Sequence, residues 1–297
     1  MERTATTLLD AVGAALAPAG YAVPLQADGP ISGGCINEAM RARTADGHPL
    51  FVKTGGLACA DQFAAEALGL GALSVTGGPR VPVPLGHGTA GDQAWLALEY
   101  IDLRPGAGDP ATFGRALATM HAATGEAFGW QRDNHIGSTP QPNGAWHDWT
   151  AFWRNQRLGH QLDLAEADGH RRVAERGRRL AERLGELLAG HAPTPSPLHG
   201  DLWAGNAGYD EHGRGTILDP AFYYGDREAD LAMTELFGGF PSAFYAGYRE
   251  AWPLDAGYAV RRTLYNLYHV LNHAHLFGGG YAARAGRMID ELLVEVG

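Results

Sequence analysis

The chain has 297 residues, 45% hydrophobic and 19% charged, with a formal net charge of −10. That composition describes a globular protein with ample core, and the length exceeds what one core usually fills, so two lobes are expected. The negative balance argues against nucleic acid or an anionic membrane surface as partner, and no apolar stretch approaches bilayer-spanning length.

The opening Met1-Glu2-Arg3-Thr4 shows no basic region leading into an apolar run with a cleavage site. Two cysteines, Cys35 and Cys59, are too few for a secreted disulfide scaffold. A cytoplasmic protein is expected. Among its 23 basic residues the chain has a single lysine, Lys53. Such a skew suggests a bias that puts arginine wherever charge alone is needed, so a surviving lysine marks a position that requires a compact ammonium. Some residue must be the last lysine, so the inference depends on where Lys53 lies.

Thr4 to Leu16 carries Leu8, Leu9, Val12, Ala15 and Leu16 at helical period and ends before Pro18. From Pro30 to Lys53 the pattern reads strand, glycine loop, strand, a turn at Asp46-Gly47, and strand. Gly33 and Gly34 in that loop can bring backbone N–H groups close to phosphates. Lys53, ending the third strand, can reach the α- and β-phosphates of a nucleotide, as in the kinase pattern. Ala60 to Leu70 reads as a helix with Glu66 its central acid, either the partner that orients Lys53 or an ordinary solvated acid. Val81 to Gly88 reads as a loop. Ala94 to Ile101 is an apolar strand fit for a sheet core, and Asp102 to Asp109 is the best boundary. Two domains follow, 1–101 and 102–297. Backbone groups of Glu99 and Ile101 are placed to meet an adenine ring.

Beyond the boundary the chain turns helical. Ala111 to Ala123 carries Phe113, Leu117, Met120 and His121 on one face, with His121 read as structural. Phe128 to Asn143 reads as irregular. Trp149, Phe152, Trp153, Gln156 and Arg157 recur near helical spacing, as core or as a wall on which a sugar stacks. Val173 to Leu188 is an amphipathic cover, and Pro193-Thr194-Pro195-Ser196-Pro197 a rigid spacer.

The next stretch, LHGDLWAGNAGYDEHGRGTILD from Leu198 to Asp219, has the most chemistry. Gly205 to Tyr209 and Thr216 to Leu218 read as strands joined by a glycine-bearing turn, which makes Asn206 and Asp219 neighbours, with Asp201 just before them. Two oxygen ligands and a free carboxylate suit Mg²⁺ together with a base for a hydroxyl group. In the kinase template the first Asp takes the hydroxyl proton, the Asn binds metal, and the second Asp bridges metal to phosphates. Pro241 to Val296 is helical, and its His269, His273 and His275, with no acid or cysteine to complete a tetrahedral set, are read as core or substrate-side groups.

Taken together, GGCINEA, LFVK, LHGDLWAGN, LDPAFYYGDREADLAMTELFGGFP, LNHAHLFGGGY and WTAFWRNQRLGHQLDLA resemble the fructosamine (ketosamine) kinase family within the kinase-like phosphotransferases. The resemblance covers most of Ile31 to Tyr281. It implies an α+β, bilobal fold, with a small antiparallel-sheet lobe and a larger, mainly helical one. It implies ATP and Mg²⁺ as cofactors, Asp201 as general base, Asn206 and Asp219 as metal ligands, and Lys53 with Glu66 as the phosphate-orienting pair. Trp203, Tyr223 and His275 are implied to shape the sugar site. The implied acceptor is the sugar 3-hydroxyl of a fructosamine or ribulosamine, as a small glycated amine or glycated lysine, handled by a monomer or homodimer in repair of glycated amines. Asp-Pro-Ala stands where protein kinases have Asp-Phe-Gly, and no activation segment is evident, which speaks against protein substrates. Kinases of aminoglycosides or choline share the HGDxxxxN and Asp elements, and a non-catalytic nucleotide-binding module is the other alternative. Cys35, beside the phosphate-seeking loop, is either a redox-sensitive thiol or a small packing residue.

Overall fold

The computed structural model describes residues 2–30, 38–104 and 106–297. Gly33, Gly34 and Cys35 lie outside the described residues, and with them the expectations for the glycine loop and its thiol.

Helix α1 (Glu2–Leu16) leads into strands β1 (Gln26–Pro30), β2 (Glu38–Arg43) and β3 (Pro49–Gly56), helix α2 (Ala60–Leu73), and strands β4 (Pro84–Ala90) and β5 (Gln93–Glu99). The five strands form one antiparallel sheet in the order β1-β2-β3-β5-β4. Side chains alternate across a strand, which explains its two faces. Leu50 and Val52 of β3, with Trp95 and Ala97 of β5, pack under Leu8, Leu9, Val12 and Leu16 of α1. Leu96 and Leu98 join Phe63, Leu70 and Leu73 of α2 in the larger core, so Lys53 stands on the α2 face. The stretch read as a loop at Gly86-His87-Gly88 is strand β4: its backbone pairs with β5 from Pro84 to Ala90 despite the glycines.

After the connection comes α3 (Pro110–His121), started by Asp109, whose carboxylate accepts from the Ala111 and Thr112 amides. The stretch expected to be irregular is ordered into four short strands, β6 (Phe128–Trp130), β7 (Asn134–Ile136), β8 (Thr139–Gln141) and β9 (Gly144–Trp146). Three-residue strands leave too few alternations to register as a period. Asp148 caps α4 (Trp149–Phe152), which runs through a π-helical turn (Trp153–Gly159) into α5 (His160–Ala167). The stripe Trp149, Phe152 and Trp153 is core, each residue nearly fully buried, and offers no wall to a sugar. Helices α6 (Arg171–Glu182) and α7 (Leu184–Leu187) follow.

Strand β10 (Ser196–Leu198) delivers the Asp201 loop. Strands β11 (Ala207–Tyr209) and β12 (Gly215–Ile217) pair as a hairpin, and β13 (Tyr223–Gly225) returns beside β10. Helices α8 (Arg227–Leu236), α9 (Ser242–Ala251), α10 (Tyr258–Phe277) and α11 (Tyr281–Glu295) complete an α+β, bilobal molecule. Among the described residues no helix is long and apolar enough to cross a membrane.

Candidate active site

The cluster forms where the sheet meets the β11–β12 hairpin. Lys53 Nζ lies 2.7 Å from Glu66 Oε1 and also bonds the Asp219 carboxylate. One ammonium therefore joins β3, α2 and the residue after the hairpin. Burial disfavours the Lys53 charge, yet the two carboxylates hold its pKa above the ordinary lysine value. Burial would raise Asp219, but Lys53 outweighs it and keeps the carboxyl below its usual range. Glu66 is the deeper acid, and burial pushes it upward.

Asp219 has φ = 59°, the left-handed region that a non-glycine residue occupies at a cost of roughly 1–3 kcal/mol. Its flanks are tied down. The Leu218 amide donates to the Asn206 carbonyl at 3.0 Å, and the Ala221 amide donates to the His199 carbonyl at 2.8 Å. The hairpin thus brings Asn206 and Asp219 together as expected, although Asn206 sits in a 3₁₀ turn (Ala204–Asn206) just before β11.

Asp201 lies in the loop between β10 and that turn. Gly200 before it has φ = +80°, and a Cβ there would meet the Ala221 carbonyl oxygen at 2.1 Å, so only glycine fits. The loop is anchored from beneath by Asp230 of α8, whose carboxylate accepts from the His199 amide at 2.7 Å and the Gly200 amide at 2.9 Å. His121 supports Asp230 through Nε2 at 3.2 Å and meets the Tyr248 hydroxyl at 2.9 Å, the structural part expected of it. His199 Nδ1 accepts from the Asp201 amide at 3.2 Å, so Nε2 carries the proton and donates to the Leu218 carbonyl at 2.8 Å. Burial holds that imidazole neutral by lowering its pKa.

Asn206 Nδ2 donates to the Asp201 carbonyl at 3.0 Å and to its carboxylate at 3.3 Å. That leaves Asn206 Oδ1 as an acceptor, and with the Asp219 carboxylate it makes a hard-oxygen donor set of the kind that fits Mg²⁺. Burial, reinforced by the Asp219 charge, pushes the Asp201 carboxyl up to about 7 against the Asn206 hydrogen bond. A carboxyl group near neutrality is suited to accept a proton from a hydroxyl.

The other expected residues are distributed unevenly. Trp203 is half-buried two positions after Asp201, and its carbonyl accepts from the Asn206 amide at 2.9 Å. The Glu99 amide donates to the Val83 carbonyl at 2.9 Å, and its side chain pairs with Arg80; Ile101 follows half-buried. Tyr223 is buried within β13, its ring covered by the Arg157 guanidinium at 3.9 Å. His275 pairs with Asp168 at 2.8 Å in a surface contact at the end of α10. His269 and His273 are core-side, as one of their two readings had it. Asp230 and Tyr268 carry no site role in the sequence, where Tyr268 reads as part of an aromatic band. Asp230 reads there as a helix-starting acid, and nothing local marks its two amide partners 30 and 31 residues away.

The fructosamine kinase family model matches residues 15–295. A probable ketoamine kinase of Synechocystis sp. is 46% identical over 268 residues, covering 89% of each chain. The chloroplastic protein-ribulosamine 3-kinase of Arabidopsis thaliana is 42% identical, over 92% of this chain and 85% of that one. A solved structure from Thermobifida fusca, provisionally named fructosamine-3-kinase, superposes with a TM-score of 0.83 at 33% identity, covering 96% of this chain and 99% of that one. The fold alone extends to an aminoglycoside phosphotransferase solved with ADP and hygromycin B, with a TM-score of 0.59 at 16% identity and coverage of 97% and 98%. With the family model spanning nearly the whole chain and two curated relatives above 40% identity, this protein belongs to the fructosamine kinase family and has its protein-kinase-like fold.

Proposed function

We propose that this chain transfers the γ-phosphoryl group of ATP to the 3-hydroxyl of a ketosamine, a fructosamine or ribulosamine, and so takes part in repair of glycated amines. The observation that carries the chemistry is the convergence of Lys53, Glu66, Asp201, Asn206 and Asp219 at one point. Family membership and the relatives' names support the acceptor.

Asp201 takes the proton of the attacking hydroxyl as its oxygen bonds the γ-phosphorus and the bond to the β–γ bridging oxygen breaks, releasing ADP. Lys53, oriented by Glu66, neutralises phosphate oxygens. Asn206 and Asp219 would hold Mg²⁺, which when bound supplies charge neutralisation at the transferring group. Such transfer needs positioning and electrostatic stabilisation more than covalent help. The nucleotide would rest on residues 1–101 and the acceptor on residues 102–297, with Trp203 at the acceptor's edge.

The test is ATP turnover on fructosyl-lysine and ribulosyl-lysine against an aminoglycoside control, with the phosphorylated carbon located by NMR. Turnover of the ketosamines with phosphate on carbon 3 is expected. Preference for the aminoglycoside would overturn the acceptor assignment.

A further inference from the structure

The segment holding strands β6–β9 carries a buried polar network that the chemistry above does not use. At its centre is Gln141, fully buried at the end of β8 and paired in register with Asn134 of β7. Its Nε2 donates to Asn134 Oδ1 at 2.9 Å and to the Ala221 carbonyl at 3.1 Å, and its Oε1 accepts from the Tyr268 hydroxyl at 2.6 Å. Asn134 Nδ2 donates to the Phe222 carbonyl at 2.8 Å. Asn143 donates to Asn134 Oδ1 at 3.0 Å and accepts from Arg157 at 2.7 Å.

The arms of this network converge on the site. Ala221 and Phe222 are the second and third residues after Asp219. Gln62, on the helix that carries Glu66, donates to the Gly137 carbonyl in the β7–β8 turn at 3.1 Å. Further along the same helix, Gly69 lies against Phe222, where a Cβ would come within 2.8 Å of the Phe222 side chain. The β7–β8 hairpin therefore grips the Glu66 helix and the turn after Asp219 at once.

A buried polar network is a costly way to fill a core, because an apolar set of the same volume avoids every desolvation penalty. Asp219 supplies the reason for it. A non-glycine residue in the left-handed region relaxes unless its surroundings over-determine it; Lys53 holds the Asp219 carboxylate, and the backbone on either side is held by the Leu218 amide and carbonyl and by the Ala221 amide. The Gln141 and Asn134 amides add two further bonds on the downstream side.

We propose that Gln141 is a positioning residue for phosphoryl transfer, holding the turn after Asp219 directly through the Ala221 carbonyl and, by way of Asn134, through the Phe222 carbonyl. The inference rests on the nucleotide side of the functional reading and is indifferent to the acceptor.

The experiment compares wild type with Gln141→Met, which keeps volume and removes both arms, and with Tyr268→Phe, which cuts only the hydroxyl arm. Calorimetry of Mg·AMP-PNP binding to the full-length protein, thermal unfolding, and steady-state kinetics are measured on each. Gln141→Met should bind Mg·AMP-PNP about tenfold more weakly, the loss of roughly one buried hydrogen bond, with KM for ATP rising in parallel. KM for the ketosamine should stay within about twofold, and assays run well below the unfolding temperature. Tyr268→Phe should leave nucleotide affinity unchanged, because the Gln141 bond to the Ala221 carbonyl stays in place. If Gln141→Met does not fold, Asn134→Leu cuts the Phe222 arm and should give the same nucleotide phenotype. A Gln141→Met or Asn134→Leu variant with lowered thermal stability but wild-type affinity for Mg·AMP-PNP and wild-type kcat would show that the network is only structural and overturn the proposal. Absence of ketosamine turnover in wild type, with the nucleotide shift still present, would count against the acceptor alone.

Discussion

Gly200→Ala tests how tightly the Asp201 loop is set against the turn after Asp219. The new Cβ would lie 2.1 Å from the Ala221 carbonyl oxygen and 2.8 Å from its carbon. An ordinary contact needs more than 3 Å, so the two segments must separate by about 1 Å. Neither can yield easily, because Asp230 holds the amides of His199 and Gly200, and the Ala221 amide is bonded to the His199 carbonyl. Placing alanine at φ = +80° costs about 1–2 kcal/mol, and weakening the Ala221–His199 bond about 0.5–1.5 kcal/mol more. The sum is a loss of roughly 1.5–3.5 kcal/mol in stability. A 1 Å displacement of a reacting group costs about 10²-fold in rate, so kcat should fall by about that factor even where the protein is fully folded. Circular dichroism, thermal unfolding and ATP turnover on a ketosamine measure the three quantities. A Gly200→Ala enzyme with near wild-type kcat would show that the approach of these segments does not set Asp201, and the reasoning would fail.

Three further outcomes are expected. Asp219→Gly and Asp219→Ala should both abolish turnover, but the glycine variant should be more stable by about 1 kcal/mol because it accepts φ = 59° without strain; equal stabilities in urea unfolding would remove the strain argument. Lys53→Arg should lose about 10²-fold or more in kcat, nearly as much as Lys53→Ala, because a planar guanidinium cannot take the point between Glu66 and Asp219; near wild-type turnover would refute that role. His269, buried with Nδ1 unpartnered, has its pKa pushed from 6.5 down to about 3 by burial. The unfolded chain therefore binds a proton that the folded one refuses. The contribution to stability is intact above pH 6.5 and is lost as pH falls toward 3, by up to roughly 1.4 kcal/mol per pH unit. His269→Leu should flatten the acid side of the urea-unfolding profile by that slope, and parallel profiles would exclude the effect.

What the sequence by itself determined here is what lies close along the chain. Helix α1 was legible from Leu8, Leu9, Val12 and Leu16, the β11–β12 hairpin from its glycines, and the partnership of Asp201, Asn206 and Asp219 from their spacing. Lys53 stood out because arginine had taken every other basic position. Motif resemblance carried the family further, since the marks are contiguous words. Tertiary structure alone decided the rest. The joining of Lys53 to Asp219 spans 166 residues, and that of Asp230 to the His199 amide spans 31. The covering of Tyr223 by Arg157 and the pairing of Glu99 with Arg80 likewise join residues far apart along the chain. Gln141 is the clearest case. In sequence it is one amide in a polar stretch without period, and it acquires meaning only when β7 and β8 pair and face the turn after Asp219. Periodicity reports which face a residue turns to the core, whereas partners across the core are set by packing, which local pattern does not encode.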